Sequence, residues 1–351
     1  MNDIIKKFIE EKKLDFEGYK MLIKDFCPEN ARILSEEARK VREAAYGKKV
    51  YIRGLIEISN ICKNDCYYCG IRKSNRNCER YRLSEDEILS CCENGYRLGF
   101  RTFVLQGGED GYFTVPVLTS LITKIKSRYP ECAVTLSLGE KTKNEYQSLF
   151  DAGADRYLLR HETADDGHYS CLHPAPLTLA DRKKCLYDLK SIGFQTGCGF
   201  MTGSPGQSAD TLAKDLKFIE EFNPEMCGIG PFIPHKDTPF GKEKAGSVDF
   251  TCYLLSIIRI MHPHILLPAT TALGTLEKNG REKGILAGAN VIMPNLSPEE
   301  AKNRYMLYNN KLSTGAESAE MIELLKEQIK NIGYEIVCHR GDAERNNYGS
   351  L

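Results

Sequence analysis

The sequence predicts an α/β protein, a complete (β/α)8 TIM barrel with an N-terminal helical extension and a short C-terminal one. Three observations predict it. A helical segment that ends in glycine and passes at once into a short apolar strand recurs at Gly99, Gly153, Gly193 and Gly288, in "YRLGFRTFVLQ", "FDAGADRYLLR", "KSIGFQTGCGF" and "ILAGANVIMPN". Eight apolar strands alternate with helical stretches, the order that gives a parallel sheet covered by helices. The 351 residues contain no low-complexity linker and suit one barrel with extensions. An open doubly wound sheet is the competing arrangement, because pattern alone does not reveal closure.

Residues 1–50 read as two charged amphipathic helices ahead of the barrel. The barrel is expected over 51–311, with strands at 51–60, 101–106, 133–138, 156–161, 195–201, 226–232, 265–271 and 290–294. Glycine suits the left-handed position that closes a helix, so each recurrent copy marks a stop. "SEDE" at Ser84–Glu87 and "TKNE" at Thr142–Glu145 read as capping boxes that start helices. Residues 312–351 add a helix, a short apolar piece and a polar tail.

The 48 basic and 48 acidic residues balance, which leaves no global field to attract nucleic acid or an anionic membrane. No apolar run nears the length of a membrane span, and the first thirteen residues are charged throughout, so a cytoplasmic location is expected. Fourteen cysteines in a reducing compartment point to metal binding or buried thiols rather than a disulfide framework.

The first strand runs directly into "NICKNDCYYCGIRKSN", which holds Cys62, Cys66 and Cys69 in the spacing C-x3-C-x2-C. Thiolates are soft ligands for iron–sulfur clusters, zinc or copper. Three ligands on one short loop can hold three corners of a cube and leave the fourth iron open to a small molecule. The competing reading is a zinc knot completed by Cys78 or a distant histidine, although a closed zinc site gains nothing from the carboxyl end of a barrel strand.

A cysteine loop of this spacing after the first strand of a βα repeat resembles the radical S-adenosylmethionine (SAM) enzymes, in which Tyr68 matches an aromatic often found before the third cysteine. The resemblance implies a 4Fe–4S cluster whose open iron is chelated by SAM, and reductive cleavage of SAM to methionine and a 5′-deoxyadenosyl radical. On it, "QGGEDGY" supplies Gln106, Gly107, Gly108 and Glu109 for the methionyl ammonium. In "RYLLRHET", Arg156, Arg160 and Glu162 put three ionic groups on one strand end, which is costly unless they bind something. Glu162 and the following Arg182 match the family's SAM-binding Glu and Arg; a solvated helix face is the plainer reading of Arg182. "GFMTGSPGQ" with Met201 and "GIGPFIPHKDTP" with Ile229 resemble the segments along the adenosine.

Thr270 and Thr271 in "PATTALG", with Arg53 and Arg160, can hold a small carboxylate in the barrel mouth, against a reading as plain β-branched strand filler. Blocks from about residue 50 to 308 resemble, within that family, the FeFe-hydrogenase maturases of the HydE type. That likeness implies assembly of the hydrogenase's two-iron subcluster, a small or organometallic iron–cysteine substrate, and transient contact with other maturases and an electron donor. It places Thr135, Ser137 (also on the cofactor side), Arg156, Arg160, Thr270, Thr271, Tyr305 and Tyr308 around the substrate. Some members carry three further cysteines after the barrel for an auxiliary 2Fe–2S cluster. Here "YNNKLSTGAESAEMIELL" has none, so one cluster is expected. Cys91, Cys92, Cys132, Cys171, Cys185, Cys198, Cys227 and Cys252 read as core thiols. The rival readings are a methylornithine-synthase-like mutase, a biotin-synthase-like enzyme, and a non-catalytic iron–sulfur carrier or scaffold.

Overall fold

The computed structural model describes residues 3–312 and 317–343. Residues 313–316 and the polar tail 344–351 lie outside the described residues, so that much of the C-terminal extension is left aside.

Three helices, rather than the expected two, precede the sheet: Asp3–Glu11, Phe16–Lys24 and Pro28–Tyr46. The extra break follows from Lys12, whose φ of 60° stops the first helix, and from Asp15, whose carboxylate accepts the Gly18 N–H at 2.8 Å and starts the second. Proline at the first turn then opens the third. Their apolar faces pack on the outer helices; Tyr19 donates to Glu220 on helix Ala209–Phe222 at 2.7 Å.

The strands are β1 (Lys49–Ile52), β2 (Gly54–Ser59), β3 (Thr102–Gly107), β4 (Ala133–Ser137), β5 (Arg156–Leu158), β6 (Gln195–Cys198), β7 (Met201–Thr202), β8 (Met226–Cys227), β9 (Gly230–Pro231), β10 (Val291–Ile292) and β11 (Glu335–Val337). Six parallel strands form one sheet in the order β2-β3-β4-β5-β6-β8, beside the groups β10-β1-β11 and β7-β9. Single parallel bridges join Met226 to Leu266, Pro268 to Val291 and Leu55 to Asn295. All four recurrent glycines take left-handed backbone, with φ of 92° at Gly99, 106° at Gly153, 112° at Gly193 and 105° at Gly288. Both capping boxes form.

Strand ends depart from expectation. The first predicted strand divides at Arg53 into β1 and β2, and the sixth divides where Gly228 separates β8 from β9. The seventh contributes only the bridges at Leu266 and Pro268, and Thr270 caps a helix, Thr271–Leu276. A short β-like segment, Glu335–Val337, pairs with β1, which ties the C-terminal extension into the sheet.

That extension fills the amino-terminal end of the strands. The Arg340 carbonyl accepts Arg156 Nη2 at 2.7 Å and Thr102 Oγ1 at 2.8 Å, and Asp342 pairs with Arg156 at 2.5 Å. Burial would raise the Asp342 carboxyl, but the Arg156 guanidinium and the bonds from Arg340 and Gln195 bring it down from 3.8 to about 2. A carboxyl lowered in the folded state stabilises the fold above its unfolded pKa, and that contribution disappears as pH falls through the folded one. Asp342 is a third exposed, so its contribution after solvent screening is about 1–2 kcal/mol. Asp342→Asn is expected to lower apoprotein stability by that amount in urea unfolding at pH 7, with the gap narrowing as pH falls from 4 toward 2. An equal gap at both ends of the range would exclude this anchoring.

Candidate functional site

The site lies at the carboxyl ends of β2 to β6, where the strands pass into irregular backbone. Residues 60–82 form a loop that places Ile71 and Tyr81 in the apolar core and is held elsewhere by charged side chains. Arg80 donates to the carbonyls of Asn60 (2.6 Å), Ile71 (2.7 Å), Arg72 (2.6 Å) and Asn75 (3.2 Å). Asp65 accepts a fork from Arg72 at 2.7 and 2.5 Å and further bonds from Ser74. At the base of the loop, Arg82 makes a bidentate pair with Asp110 at 2.7 and 2.8 Å, and Ser59 donates to the same carboxylate at 2.7 Å. The loop presents Cys62, Cys66 and Cys69 to one cavity, and none of the three is in a disulfide. Burial raises all three thiols, Cys66 to about 12, so these thiols are protonated until a metal displaces the protons.

The turn after β3 fastens to this loop. Glu109 N–H points at Cys62 Sγ over 3.4 Å, and Lys63 N–H donates to the Glu109 carbonyl at 3.0 Å. The Glu109 carboxylate meets the Lys63 ammonium at 3.1 Å and accepts the Glu140 N–H at 3.2 Å. Tyr68 is half-buried, its hydroxyl 3.2 Å from His173 Nε2, and His173 Nδ1 faces the Tyr169 carbonyl at 3.0 Å. Burial lowers His173 to about 4, which keeps it neutral.

Beyond β5 the chain runs on as Arg160–His161–Glu162. Glu162 has a φ of 64°, a left-handed conformation that costs a non-glycine residue about 1–2 kcal/mol and persists only where its surroundings enforce it. Its carboxylate lies 3.1 Å from Arg160 Nη2, yet neither atom finds hydrogen-bond geometry and both are buried. Arg182 is buried with its Nε 2.6 Å from Glu140 and Nη1 donating to the Arg160 carbonyl at 3.1 Å. That placement removes the solvated-face reading of Arg182.

These groups surround a cavity of about 340 Å³ that extends down between the strands. Of the residues singled out from the sequence, it is lined by Cys62, Cys66, Tyr68, Cys69, Gln106, Gly107, Gly108, Glu109, Ser137, Arg160, Glu162, Arg182, Met201, Thr270, Thr271, Tyr305 and Tyr308. Four others are elsewhere. Arg156 lies four residues earlier than Arg160, at the amino-terminal end of β5, where the C-terminal segment satisfies it. Arg53 is at the same depth, with Nη1 on Met226 Sδ at 2.9 Å and Nη2 on the Gly341 carbonyl at 3.4 Å. Thr135 lies in register with Arg156, below the cavity floor. Ile229 is wholly buried and packs into the hydrophobic core, while Gly230 beside it faces the cavity. Cys171 is exposed and so is not a core thiol, whereas Cys91, Cys92, Cys132, Cys185, Cys198 and Cys227 are buried and Cys252 half-buried.

Sequence reasoning missed a buried ion pair in the wall, Glu57 with Lys311. Glu57 on β2 is fully buried; it receives Lys311 Nζ at 2.6 Å and Asn295 Nδ2 at 2.8 Å. A glutamate on the inward face of "GLIEIS" was the available signal; Lys311, on the loop after Tyr305, gave none. The stretch 304–311 crosses the mouth, fastened by Gly70 N–H to the Leu307 carbonyl at 2.8 Å and by Asn309 N–H to the Pro234 carbonyl at 3.0 Å.

The donor set fits a soft multi-metal group with a zwitterionic ligand. Three thiols line one cavity, none of them in a disulfide. Buried Arg160 and Glu162 atoms, and the Thr270 hydroxyl, lack hydrogen bonds, and buried polar groups in that state are expected to be completed by a ligand. Among the described residues no three His, Cys, Asp or Glu side chains are grouped to hold a metal ion; thiolates that bind separate irons of a cube need not converge on one point.

Comparison with known proteins agrees with this geometry. Residues 56–219 match the family model of the radical SAM superfamily. The FeFe hydrogenase maturase subunit HydE of Thermotoga maritima is 42% identical over 296 residues, 84% of this chain and 84% of that protein. The 3-methylornithine synthase of Methanosarcina acetivorans is 27% identical over 84% of this chain and 83% of that protein. A crystal structure of methylornithine synthase shares the fold, with a TM-score of 0.81 at 24% identity, covering 95% of this chain and 97% of that one.

Proposed function

The chain belongs to the radical SAM superfamily and, within it, to the family of the hydrogenase maturase HydE; from that premise we propose that it acts in assembly of the FeFe-hydrogenase active-site cluster, on a small sulfur-containing or iron-bound substrate in the cavity. The observation that carries the reading is the meeting of the three-cysteine loop with Glu109, Glu162 and Arg182 at the mouth of one cavity.

Cys62, Cys66 and Cys69 would each ligate one iron of a 4Fe–4S cluster. When bound, that cluster and SAM supply a 5′-deoxyadenosyl radical. Gly107 and Gly108 let the backbone come close to the methionyl end, and Glu109, Glu162 and Arg182 complement its charges. Met201 and the wall at Gly230 flank the adenosine side. Deeper, Arg160 and Thr270 offer unfilled donors for a carboxylate or another anion, while the Thr271 hydroxyl already donates to Glu317 at 2.9 Å. Leu55, Leu158, Leu159 and the aromatic rings of Tyr305 and Tyr308 exclude water, which strengthens these contacts and shields a radical from solvent.

The reading takes residues 51–311 as the catalytic unit and a barrel that closes on itself. The bridges from Met226 to Leu266, from Pro268 to Val291 and from Asn295 to Leu55 support closure. It carries one cluster, because the sequence has no cysteine between Tyr308 and Leu325. Other maturases and an electron donor would be its transient partners, and no helix of the described residues is long and apolar enough to cross a membrane.

The test is anaerobic reconstitution with iron and sulfide, EPR with and without SAM, and maturation of apo-hydrogenase alongside the other maturases. About four irons per chain, a SAM-dependent spectrum and hydrogenase activity lost on omission are expected. Tightly bound zinc without such a signal would refute the cluster. Conversion of lysine with regeneration of SAM would favour the mutase reading instead.

A further inference from the structure

We propose that His161 and Asp215 are a positioning pair that holds Glu162 in its left-handed conformation and thereby sets the enzyme's affinity for SAM. The inference rests on the reading of Glu162 as a ligand of that cosubstrate.

Glu162 is one of the few non-glycine residues with positive φ among those described, and it is flanked by polar anchors that no other part of the mechanism uses. His161 and Asp215 are both wholly buried, with His161 Nε2 3.3 Å from Asp215 Oδ1 but outside hydrogen-bond geometry. The Gly199 N–H donates to His161 Nδ1 at 3.2 Å, so the ring proton belongs on Nε2, facing the carboxyl group. The same Asp215 oxygen accepts the Ala164 N–H at 2.5 Å. One side chain from helix Ala209–Phe222 therefore grips the chain on both sides of Glu162. Phe218, one turn further along that helix, packs edge-on to the imidazole at 4.8 Å between ring centres.

The backbone around these anchors is tied at further points. The Glu162 N–H donates to the Gly199 carbonyl at 3.0 Å, so both peptide groups of Gly199 are used by residues 161 and 162. The Arg160 carbonyl accepts from Arg182, and the Ala164 carbonyl accepts Lys183 Nζ at 3.3 Å. With 160, 161, 162 and 164 fixed, the carboxylate of Glu162 is delivered into the cavity by constraint rather than by its own conformational preference. Burial makes the pair neutral, lowering His161 to about 3 and raising Asp215, so it holds by the bonds from Ala164 and Gly199 and by close packing of two uncharged groups rather than by ionic attraction, and an amide at 215 should serve in its place.

The experiment compares reconstituted holoenzyme carrying Asp215→Ala, Asp215→Asn, His161→Phe and Glu162→Ala. Iron content is measured for each, KM for SAM and turnover are read from the release of deoxyadenosine, and the SAM-induced change in the EPR spectrum is recorded. Expected are full iron content and a KM raised about tenfold or more in Asp215→Ala and His161→Phe, with turnover at saturating SAM much less affected. Asp215→Asn should restore the wild-type KM, since its carbonyl can accept the Ala164 N–H and its neutral amide keeps the same packing beside His161. Unchanged KM in Asp215→Ala and His161→Phe, with Glu162→Ala impaired, would overturn the positioning role. Equal loss in Asp215→Asn and Asp215→Ala, with iron content falling alongside, would make the pair a packing element only. A normal SAM response in Glu162→Ala would remove the cosubstrate reading of Glu162 itself, and the inference with it.

Discussion

Replacing Cys66 by alanine is expected to abolish iron incorporation and reduce SAM cleavage to the background of the assay, while the chain stays folded. The two effects separate because the loop is not held by its thiols. Arg80 gathers four of its carbonyls and Asp65 is clasped by Arg72 and Ser74, so its course does not depend on Cys66. What depends on Cys66 is the ligand count. With two cysteines left, two irons of a cube would lack protein ligands, and the buried site offers no nearby replacement: Cys78 is bound within the loop, 3.6 Å from Asn60 Nδ2, and does not line the cavity. Cys78→Ala is therefore the matched control, expected to retain cluster and cleavage. Circular dichroism would confirm the fold, and iron and sulfide assays the occupancy. A Cys66→Ala protein that still binds about four irons per chain would show that the ligands are assigned wrongly.

The contrast between Cys66 and Arg156 shows what was legible in the sequence. The cysteine triplet, the glycine turn after β3 and the Glu162 strand end are each local patterns, and local patterns survive translation into structure. Face is legible only within a strand: β5 ends at Leu158, and Leu158, Leu159 and Arg160 then line the cavity in succession. Depth is not legible. Whether a residue on the inward face meets a ligand at the top or the C-terminal segment at the bottom depends on partners far away in sequence, here Asp342 and Gly341 for Arg156 and Arg53. The same limit hid the pairing of Glu57 with Lys311, separated by 254 positions. Helix stops were readable because glycine is required at a specific backbone angle, whereas strand ends were not, because β5, β6 and β8 decay into irregular backbone as they approach the cavity.

Gly108→Ala is expected to impair the enzyme about a hundredfold, although it adds a single methyl group at a backbone angle open to any residue. A Cβ built on Gly108 would lie 2.3 Å from the Ile61 carbonyl oxygen and 2.8 Å from Cys62 Cβ. Neither is the end of a flexible side chain, so neither can swing aside. Gly108 in turn cannot retreat, since its N–H donates to the Ser59 carbonyl at 3.0 Å and Lys63 N–H is fastened to the Glu109 carbonyl. Restoring ordinary contact requires the first cysteine to move by about 1 Å relative to the glycine turn, a displacement large enough to cost about two orders of magnitude in a preorganised site. Overpacking of this kind also costs about 1–3 kcal/mol of stability, too little to unfold the chain. Gly111, three residues on in the same turn, has nothing within 4 Å of its Cβ position and no left-handed φ. Gly111→Ala should accordingly behave as wild type in iron content, KM for SAM and release of deoxyadenosine. If the two alanine variants proved equally active, the close approach of the turn to Cys62 would be incidental to catalysis. If Gly108→Ala alone fails, the glycine is there for space, and the turn and the cysteine loop act as one unit.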